Sequence, residues 1–351
     1  MKRMSDNKRW FYAGTYAGAD EEGIFLCALD MDNGSMEIVR GTDGIANASF
    51  LALDAAKDRL YAVSETEEGQ VYAYAVDGET GELQLLDRKP THGSAPCYIA
   101  LTRDGSHVLA ANYSSGHVNA YRIEGDGKLA ETSLVRHSGS SVNKERQEGA
   151  HPHSVFQDPT GTYALVCDLG LDEIVFYRLD GGKLQEHNRV KIAPGAGPRH
   201  FEFHPSGKWA YGINELDDTV NVYAFDAEAG NLELLQTLSA LPEGAATGSS
   251  SADIHISPCG LFLYASNRSD DSIGLYRVDP FTGLLKAVEW VSTGGRTPRN
   301  FAVVKGGYVL AANQNSDSVV SFRIDKESGR LTPTGHTLSL PKPVCVVPVY
   351  K

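Results

Sequence analysis

The sequence predicts an all-β protein, a seven-bladed β-propeller whose blades are four-stranded antiparallel sheets. Three observations predict it. A similar stretch recurs along the chain at a period of about 40–55 residues. Each copy contains short apolar runs separated by turns rich in Gly, Asp and Pro, without helical periodicity. The first copy lacks its opening run, and the C-terminus supplies one. We therefore assign residues 1–351 to one propeller domain.

Every copy follows the same order of elements. An alternating run leads to a turn such as "DPTG" or "HPSG", and a second run ends in a small polar residue. A polar loop, a third run such as "IVFYRL", a turn such as "DPFTGLL" and a short fourth run complete the copy. This order predicts four strands of about 4–7 residues, the fourth being short. The copies begin at Arg9, Ala48, Ala95, Gly149, Gly197, Ser251 and Thr297.

The C-terminal stretch "KPVCVVPVY" has the register of an opening strand, because Pro343 falls where Pro198 and Pro298 fall in their copies. We expect this strand to complete the blade begun at the N-terminus. Such closure removes the open end that a linear array of sheets would have to cap.

Composition narrows the class of protein. A hydrophobic content of 41% and a charged content of 22% are typical of globular proteins. The net charge of −13 argues against nucleic-acid binding, and no apolar run reaches the ~18–20 residues of a membrane span. We expect a cytoplasmic monomer or weak homo-oligomer, since no secretory signal is visible in "MKRMSDNKRWFYAG". The scattered cysteines predict buried thiols in a reducing compartment: Cys27, Cys97, Cys167, Cys259 and Cys345.

Several catalytic motifs are missing from the sequence. It contains no GxSxG, Walker A, HExxH or strand-linked GxGxxG pattern, so covalent serine catalysis and nucleotide chemistry have little support. The "HPH" of His151 and His153 offers too few ligands for catalytic zinc, which uses three protein ligands. We therefore expect no metal and no cofactor, and we interpret His151 as a loop residue.

The repeat also locates a candidate site, because equivalent positions of a propeller converge on its central channel. The position after the blade-opening proline, or after its equivalent in the copies that lack it, holds Ser49, Cys97, His153, Arg199, Ala252, Arg299 and Val344. The next position holds Phe50, Tyr98, Ser154, His200, Asp253, Asn300 and Cys345. The position after the second strand holds Tyr16, Glu65, Tyr113, Leu169, Glu215, Arg268 and Gln314. A scaffold alone would repeat similar residues, so the chemically distinct ones are candidates: His153, Arg199, Glu215, Arg268, His200, Arg299 and Asp253.

Converging arginines in an acidic protein favour an anionic substrate, and Glu215 among them should be ionised. Each of these residues also has a purely structural interpretation. The arginines could form ion pairs that stabilise the fold, Glu215 could only neutralise their charge, and His153 could be a hydrogen-bonded structural histidine. The polar segment 136–150 is predicted to be either a lid that brings Lys144 and Arg146 to the substrate or a mobile surface loop.

Five phrases resemble one family: "NKERQEGAHPHSV", "GAGPRHFEFHP", "INELDDTV", "ADIHISPCGLFLYASNRSDDSI" and "TPRNF". They are similar to the seven-bladed propeller lactonases, which include 6-phosphogluconolactonases and carboxymuconate lactonizing enzymes. The resemblance implies metal-free chemistry on a carboxylated or phosphorylated lactone. It also implies an active-site set that falls on His153, Arg199, Arg268 and Glu215. One departure is Pro152, where many members have a small residue between the two histidines.

The resemblance leads us to expect a phosphogluconolactonase of the pentose phosphate pathway, acting on a small anionic lactone. His153 and Glu215 would activate water, and Arg199 and Arg268 would stabilise the oxyanion. Arg299, His200, Asp253, Lys144 or Arg146 would bind the rest of the substrate. Two alternatives remain open at this point: a muconate-type cycloisomerase and a non-catalytic propeller that binds proteins.

Overall fold

A computed structural model describes residues 7–246, 248 and 250–349 of the chain. These residues form seven antiparallel sheets of four strands each, as predicted. The one helical turn of the described part, Gln314–Ser316, has three residues. Accordingly, no helix among the described residues is long and apolar enough to cross a membrane.

From the channel outward, the strands of blades 2 to 7 follow one another in chain order, whereas blade 1 has the C-terminal strand innermost. Blade 1 contains β28 (Pro343–Val349), β1 (Lys8–Thr15), β2 (Ile24–Asp30) and β3 (Met36–Thr42). Blade 2 contains β4 (Ala48–Leu53), β5 (Arg59–Ser64), β6 (Gln70–Val76) and β7 (Leu83–Pro90). Blade 3 contains β8 (Pro96–Leu101), β9 (His107–Asn112), β10 (His117–Ile123) and β11 (Leu129–Arg136). Blade 4 contains β12 (Pro152–Gln157), β13 (Tyr163–Asp168), β14 (Glu173–Asp180) and β15 (Lys183–Lys191).

The remaining blades follow the same plan. Blade 5 contains β16 (Pro198–Phe203), β17 (Trp209–Asn214), β18 (Thr219–Asp226) and β19 (Asn231–Ser239). Blade 6 contains β20 (Ser251–Ile256), β21 (Phe262–Asn267), β22 (Ser272–Val278) and β23 (Leu285–Ser292). Blade 7 contains β24 (Pro298–Val304), β25 (Tyr308–Asn313), β26 (Ser318–Ile324) and β27 (Leu331–Ser339).

The ring closes as the sequence predicted. Strand β28 pairs antiparallel with β1, from Trp10 opposite Val349 to Gly14 opposite Cys345. The N-terminal and C-terminal strands therefore belong to one sheet, and the hydrogen bonds between them hold the first and last parts of the chain together.

The predicted strand lengths were wrong for the outermost strands. The fourth strands β15, β19 and β27 have nine residues each, whereas the pattern predicted short ones. Their residues are largely polar and alternate in exposure, as in the stretch KLQEHNRVK of β15. Backbone hydrogen bonds extend the pairing beyond the few apolar residues, so the apolar pattern underestimates the length of such strands.

Within the described residues the core consists of seven apolar clusters, one at each junction between neighbouring blades. The cluster between blades 4 and 5, for example, contains Phe176 of blade 4 together with Phe201 and Tyr223 of blade 5. Both faces of a blade are thereby buried, and burying each large side chain stabilises the fold by about 1.5–3 kcal/mol. This explains why the second and third strands of each copy are continuous apolar runs rather than alternating ones.

Tyrosines of the second strands link neighbouring blades. The hydroxyl of Tyr12 donates to the Gly81 carbonyl at 2.7 Å, and that of Tyr264 donates to the Gly329 carbonyl at 2.7 Å. Each accepting glycine lies in the turn between the third and fourth strands of the next blade. These bonds satisfy the buried hydroxyls and set the position of one blade against the next.

Four of the five cysteines are buried free thiols, but Cys259 is exposed. The expectation that all five are buried was therefore wrong for Cys259. This residue lies in the "SPCG" turn between β20 and β21, and the apolar residues that follow it belong to the buried strand β21.

Candidate active site

An irregularity in the first two strands of every blade directs side chains to the channel. In blade 5, Pro198 pairs with Asn214 and His200 pairs with Ile213, so Arg199 between them is unpaired. The same shift leaves His153 and Arg299 unpaired in blades 4 and 7. A β-bulge of this kind re-aims the extra residue. As a result the side chains of Arg199 and His200 meet, although a regular strand would direct consecutive side chains to opposite faces.

Aspartates in the left-handed conformation hold the openings of the blades. Asp172, with φ of 54°, accepts a hydrogen bond from the Gly197 amide at 2.7 Å. Asp271, with φ of 50°, accepts one from the Thr297 amide at 2.6 Å. Each bond joins one blade to the start of the next, two residues before Arg199 or Arg299. The backbone that carries these arginines is thereby fixed.

Glu215 is the centre of a group of ion pairs at the channel mouth. Its Oε2 atom lies 2.9 Å from Nε of Arg199 and 2.8 Å from Nη2 of Arg268. Its Oε1 atom lies 2.6 Å from Nη2 of Arg146. We call these four residues the Glu215 cluster. The cluster joins residues of blades 5 and 6 to the segment that follows β11, and Glu215 is 4% exposed.

The arginines determine the charge of this glutamate. Burial by itself raises a carboxyl pKa, but Arg268, Arg199 and Arg146 outweigh it and lower the pKa of Glu215 to about 2. Burial and the charges of Arg268 and Arg299 lower the pKa of Arg199 to about 10, so this guanidinium stays charged. Glu215 is thus a permanent anion with both carboxylate oxygens in ion pairs.

The segment between β11 and β12 brings Arg146 to the cluster. Gln147 is buried and donates to the Leu169 carbonyl at 2.9 Å, and Ser141 donates to Asp172 at 2.6 Å. These bonds anchor the segment, and Arg146 extends from it to Glu215. Lys144 is exposed, and no ion pair in the described part of the chain includes it.

Tyr113 connects the cluster to the two neighbouring histidines. Its hydroxyl accepts a hydrogen bond from Arg146 at 3.3 Å, and its ring stacks on His151 at a centroid distance of 4.5 Å. The His153 ring packs edge-on against the same Tyr113 ring, with 5.5 Å between the ring centroids. His151 precedes β12, as predicted, but it is buried and its Nδ1 bonds the Tyr113 carbonyl at 2.9 Å.

His153 is a neutral imidazole at the mouth. Burial lowers its pKa well below the ordinary value, and the charges of Arg199, Arg299 and Arg268 lower it further. Among the described residues only Cys97 bonds the ring, with Sγ 3.8 Å from Nδ1. The other ring nitrogen, Nε2, is left available to a ligand.

On the other side of the mouth lies a second group, Tyr16, Glu65 and Arg299, which we call the Tyr16 cluster. The Tyr16 hydroxyl donates to Glu65 at 2.9 Å, and the Arg299 guanidinium lies over the Tyr16 ring at 5.5 Å. Arg299 donates no hydrogen bond within the described part of the chain. The two clusters together contain four arginines and two glutamates, an excess of two positive charges.

Below the mouth, aromatic rings fill the channel. Tyr98 stacks on Phe50 at 4.0 Å and meets the edges of Phe156 and His200 at 4.9 and 5.2 Å. His200 and Asp253 lie in this deeper layer and hydrogen-bond each other at 2.6 Å. The charged groups of the mouth therefore stand above an aromatic floor.

The structure brings most of the sequence-predicted residues together. His153, Arg199, Arg268, Glu215, Arg299 and Arg146 lie at one mouth, and His200 and Asp253 lie directly beneath it. The prediction omitted Tyr16, Glu65 and Tyr113, although the repeat comparison had placed all three at a convergent position. The variety of residue types across the seven blades at that position was the available signal.

No group of three or more His, Cys, Asp and Glu side chains is arranged to hold a metal ion within residues 7–246, 248 and 250–349. The polar side chains of the mouth are mainly guanidinium groups, which donate hydrogen bonds and do not ligate cations. The chemistry of this donor set suits an anion.

One family of enzymes has this seven-bladed architecture. The family model described as "Lactonase, 7-bladed beta-propeller" matches residues 10–348. The chain therefore belongs to the seven-bladed β-propeller lactonase family, and it is a lactonase, a hydrolase of cyclic esters.

Individual relatives are similar over nearly their whole length. The chain is 36% identical over 338 residues to a 6-phosphogluconolactonase from Bacillus subtilis, covering 95% of this chain and 97% of that one. It is 36% identical over 321 residues to a 6-phosphogluconolactonase from Formosa agariphila, covering 88% and 90%. The solved structure of a periplasmic gluconolactonase from Pseudomonas aeruginosa superimposes with a TM-score of 0.93 at 33% identity, covering 98% and 99%.

Proposed function

We propose that this lactonase hydrolyses 6-phospho-glucono-1,5-lactone to 6-phosphogluconate, as a cytoplasmic enzyme of the pentose phosphate pathway. The observation that carries the proposal is the excess of arginine charge around the neutral His153 at the channel mouth. An anionic ester suits this centre, and the names of the similar Bacillus and Formosa proteins support a phosphorylated sugar lactone.

His153 is the general base of the proposed reaction. The sequence-based hypothesis shared this role between His153 and Glu215, but a carboxylate with a pKa of about 2 and both oxygens in ion pairs is a poor base. His153 takes a proton from water as the water oxygen bonds to the lactone carbonyl carbon. When the ring C–O bond then breaks, His153 returns that proton to the ring oxygen, which becomes a hydroxyl.

Arg199 and Arg268 stabilise the negative charge that develops on the carbonyl oxygen. Glu215 orients both guanidiniums, which need no reorganisation when the charge appears. Arg268 is held from its other side, because its Nε donates to the Ser250 carbonyl at 2.9 Å. A lactone of this kind is already an activated ester, so this scheme needs no covalent intermediate.

Arg299 binds the phosphate of the substrate. It is the arginine of the mouth with no carboxylate hydrogen bond in the described residues, so its donors are available to phosphate oxygens. Arg146 lies across the mouth from Arg299, and its side chain is 39% exposed, which allows it to contact the same anionic substrate. Lys144 is a weaker candidate because it lies in solvent.

The test is hydrolysis of freshly generated 6-phosphogluconolactone, coupled to 6-phosphogluconate dehydrogenase and corrected for spontaneous ring opening. We expect the wild type to accelerate hydrolysis with or without EDTA and Arg268→Ala to lose most of this acceleration. A wild type that does not accelerate hydrolysis would refute the substrate assignment. Parallel assays on unphosphorylated gluconolactone and on muconates would then identify the class of substrate.

A further inference from the structure

His200 and Asp253 form a chain of hydrogen bonds behind Arg199. Nδ1 of His200 lies 2.6 Å from Oδ1 of Asp253, and Nε2 of His200 lies 3.1 Å from Nη1 of Arg199. All three side chains are at most 5% exposed. The chain crosses from blade 5 to blade 6 and ends at the Glu215 cluster.

The partners determine which nitrogen of His200 carries the proton. A guanidinium has donors and no acceptor, so Nε2 must accept from Arg199 and cannot be protonated. The ring proton therefore lies on Nδ1 and is donated to the Asp253 carboxylate. Burial and the charge of Arg199 lower the pKa of His200 to about 4, which agrees with a neutral ring.

Asp253 is itself held from several directions. Its Oδ2 atom accepts from Nδ2 of Asn300 at 2.6 Å and from the Phe301 amide at 3.2 Å. His255 Nε2 lies 3.0 Å from the same atom, and Glu202 bonds the other nitrogen of His255 at 3.2 Å. Burial alone would lower the pKa of His255, but Asp253 and Glu202 raise it to about 10. Asp253 thus remains an anion paired with a cation, and residues of blades 5, 6 and 7 fix its orientation.

The orientation of Arg199 follows from this chain. Nε bonds Glu215, while Nη1 bonds His200 and the Ala252 carbonyl at 2.6 Å. Nη2 makes no hydrogen bond with the described residues, so one nitrogen of the guanidinium is left for a ligand. We propose that His200 and Asp253 are positioning residues that hold Arg199 for the reaction, rather than groups that bind the substrate. This inference rests on the proposed function, in which Arg199 acts on the lactone.

The molecule contains a matched control for this pair. His137 lies 2.6 Å from Asp168 through Nδ1, and its Nε2 bonds the Tyr177 hydroxyl at 2.7 Å. This pair is equally buried, but it ends at a tyrosine rather than at Arg199, and Asp168 has a separate hydrogen bond, from the His151 amide to its Oδ1 atom at 2.8 Å. A variant of His137 therefore measures the cost of losing a buried His–Asp pair without disturbing Arg199.

The experiment compares Asp253→Asn, His200→Phe and His137→Phe in the full chain. In Asp253→Asn the side-chain amide can donate to Nδ1 of His200, so the ring proton moves to Nε2. The N–H at Nε2 then faces the N–H of Arg199, and the hydrogen bond between the two residues is lost. We expect kcat of Asp253→Asn and His200→Phe to fall about 100-fold, more than KM changes, because Arg199 is displaced. His137→Phe should lower Tm while kcat stays within about twofold of the wild type.

Histidine ¹⁵N NMR provides a readout that does not depend on activity. The His200 signal, assigned by its loss in His200→Phe, should show a protonated Nδ1 and a bare Nε2 in the wild type. Asp253→Asn should reverse this pattern. A wild type with protonated Nε2, or an Asp253→Asn variant that keeps its kcat within threefold, would overturn the inference. If no lactone is hydrolysed, the proposed function fails, while the NMR result still decides whether the chain of hydrogen bonds exists.

Discussion

Glu215 and Glu65 occupy the same position in blades 5 and 2, directly after the second strand. Their backbones are held alike: the Glu215 amide donates to the Gly197 carbonyl at 2.8 Å, and the Glu65 amide donates to the Asn47 carbonyl at 3.0 Å. Their side chains differ completely. Glu215 is buried among three arginines, whereas Glu65 is partly exposed and accepts from Tyr16.

This difference in side-chain partners divides the mouth into two structurally distinct halves. In the Glu215 cluster both carboxylate oxygens are paired with arginines, which holds the guanidinium groups in place and suits the cluster to a fixed electrostatic role. The Tyr16 cluster leaves the Arg299 donors available and is suited to binding an anion. The repeat places both glutamates at the mouth, and their neighbours determine what each one does.

The largest expected effect is that of Glu215→Gln. Removing the charge leaves three arginines without their shared anion, so we expect kcat/KM on 6-phosphogluconolactone to fall about 100-fold or more. Thermal unfolding should show a lower Tm. Retention of more than a third of wild-type kcat/KM would contradict the central role of Glu215.

The Arg299→Gln variant tests the proposed role of the Tyr16 cluster in binding the phosphate. Loss of a charge-assisted hydrogen bond should raise KM for the phosphorylated lactone about 10-fold, while unphosphorylated gluconolactone is hydrolysed at an unchanged rate. The measurement is a comparison of both substrates on both proteins. Equal losses on the two lactones would show that Arg299 does not recognise the phosphate.

The pH dependence should distinguish the free enzyme from the substrate complex. His153 must be neutral to act as a base, and the arginines hold its pKa well below the ordinary value, so activity is lost only as pH falls through that low pKa. A bound anion offsets the arginine charges and raises the pKa of His153. The acid limb of kcat should therefore lie at a higher pH than that of kcat/KM. Discontinuous assays of remaining lactone from about pH 4 to 8 would measure both limbs, and coincident limbs would contradict this account.

Glu65→Gln should have the smallest effect. The amide can still accept from Tyr16, and no arginine forms a hydrogen bond with Glu65 in the described residues. We expect kcat/KM to change less than about threefold, as surface-near polar substitutions commonly do. A loss as large as that of Glu215→Gln would remove the distinction between the two clusters.

The repeat pattern was sufficient to predict the blades and the convergent positions. His153, Arg199, Glu215 and Arg268 were identified because they are histidine or charged residues at convergent positions that a scaffold alone would fill with similar residues in every blade. The pattern did not show that Arg199 and His200 touch, because strict alternation of a strand separates consecutive side chains and only the bulge brings them together. It also underestimated the length of the outer strands, because their polar residues do not contribute to the pattern of apolar residues from which strands are predicted.

The sequence by itself determined the number of blades, their phase, the closure by β28 and the side chains available at the mouth. These properties follow from local periodicity and turn chemistry, which repeat with the chain. Only the tertiary structure decided the partners and charges of those side chains. Arg146 and Glu215 are 69 residues apart, and His200 and Asp253 are 53 apart. The pKa of Glu215 and the tautomer of His200 depend on distances between such separate segments, which no local pattern of residues encodes.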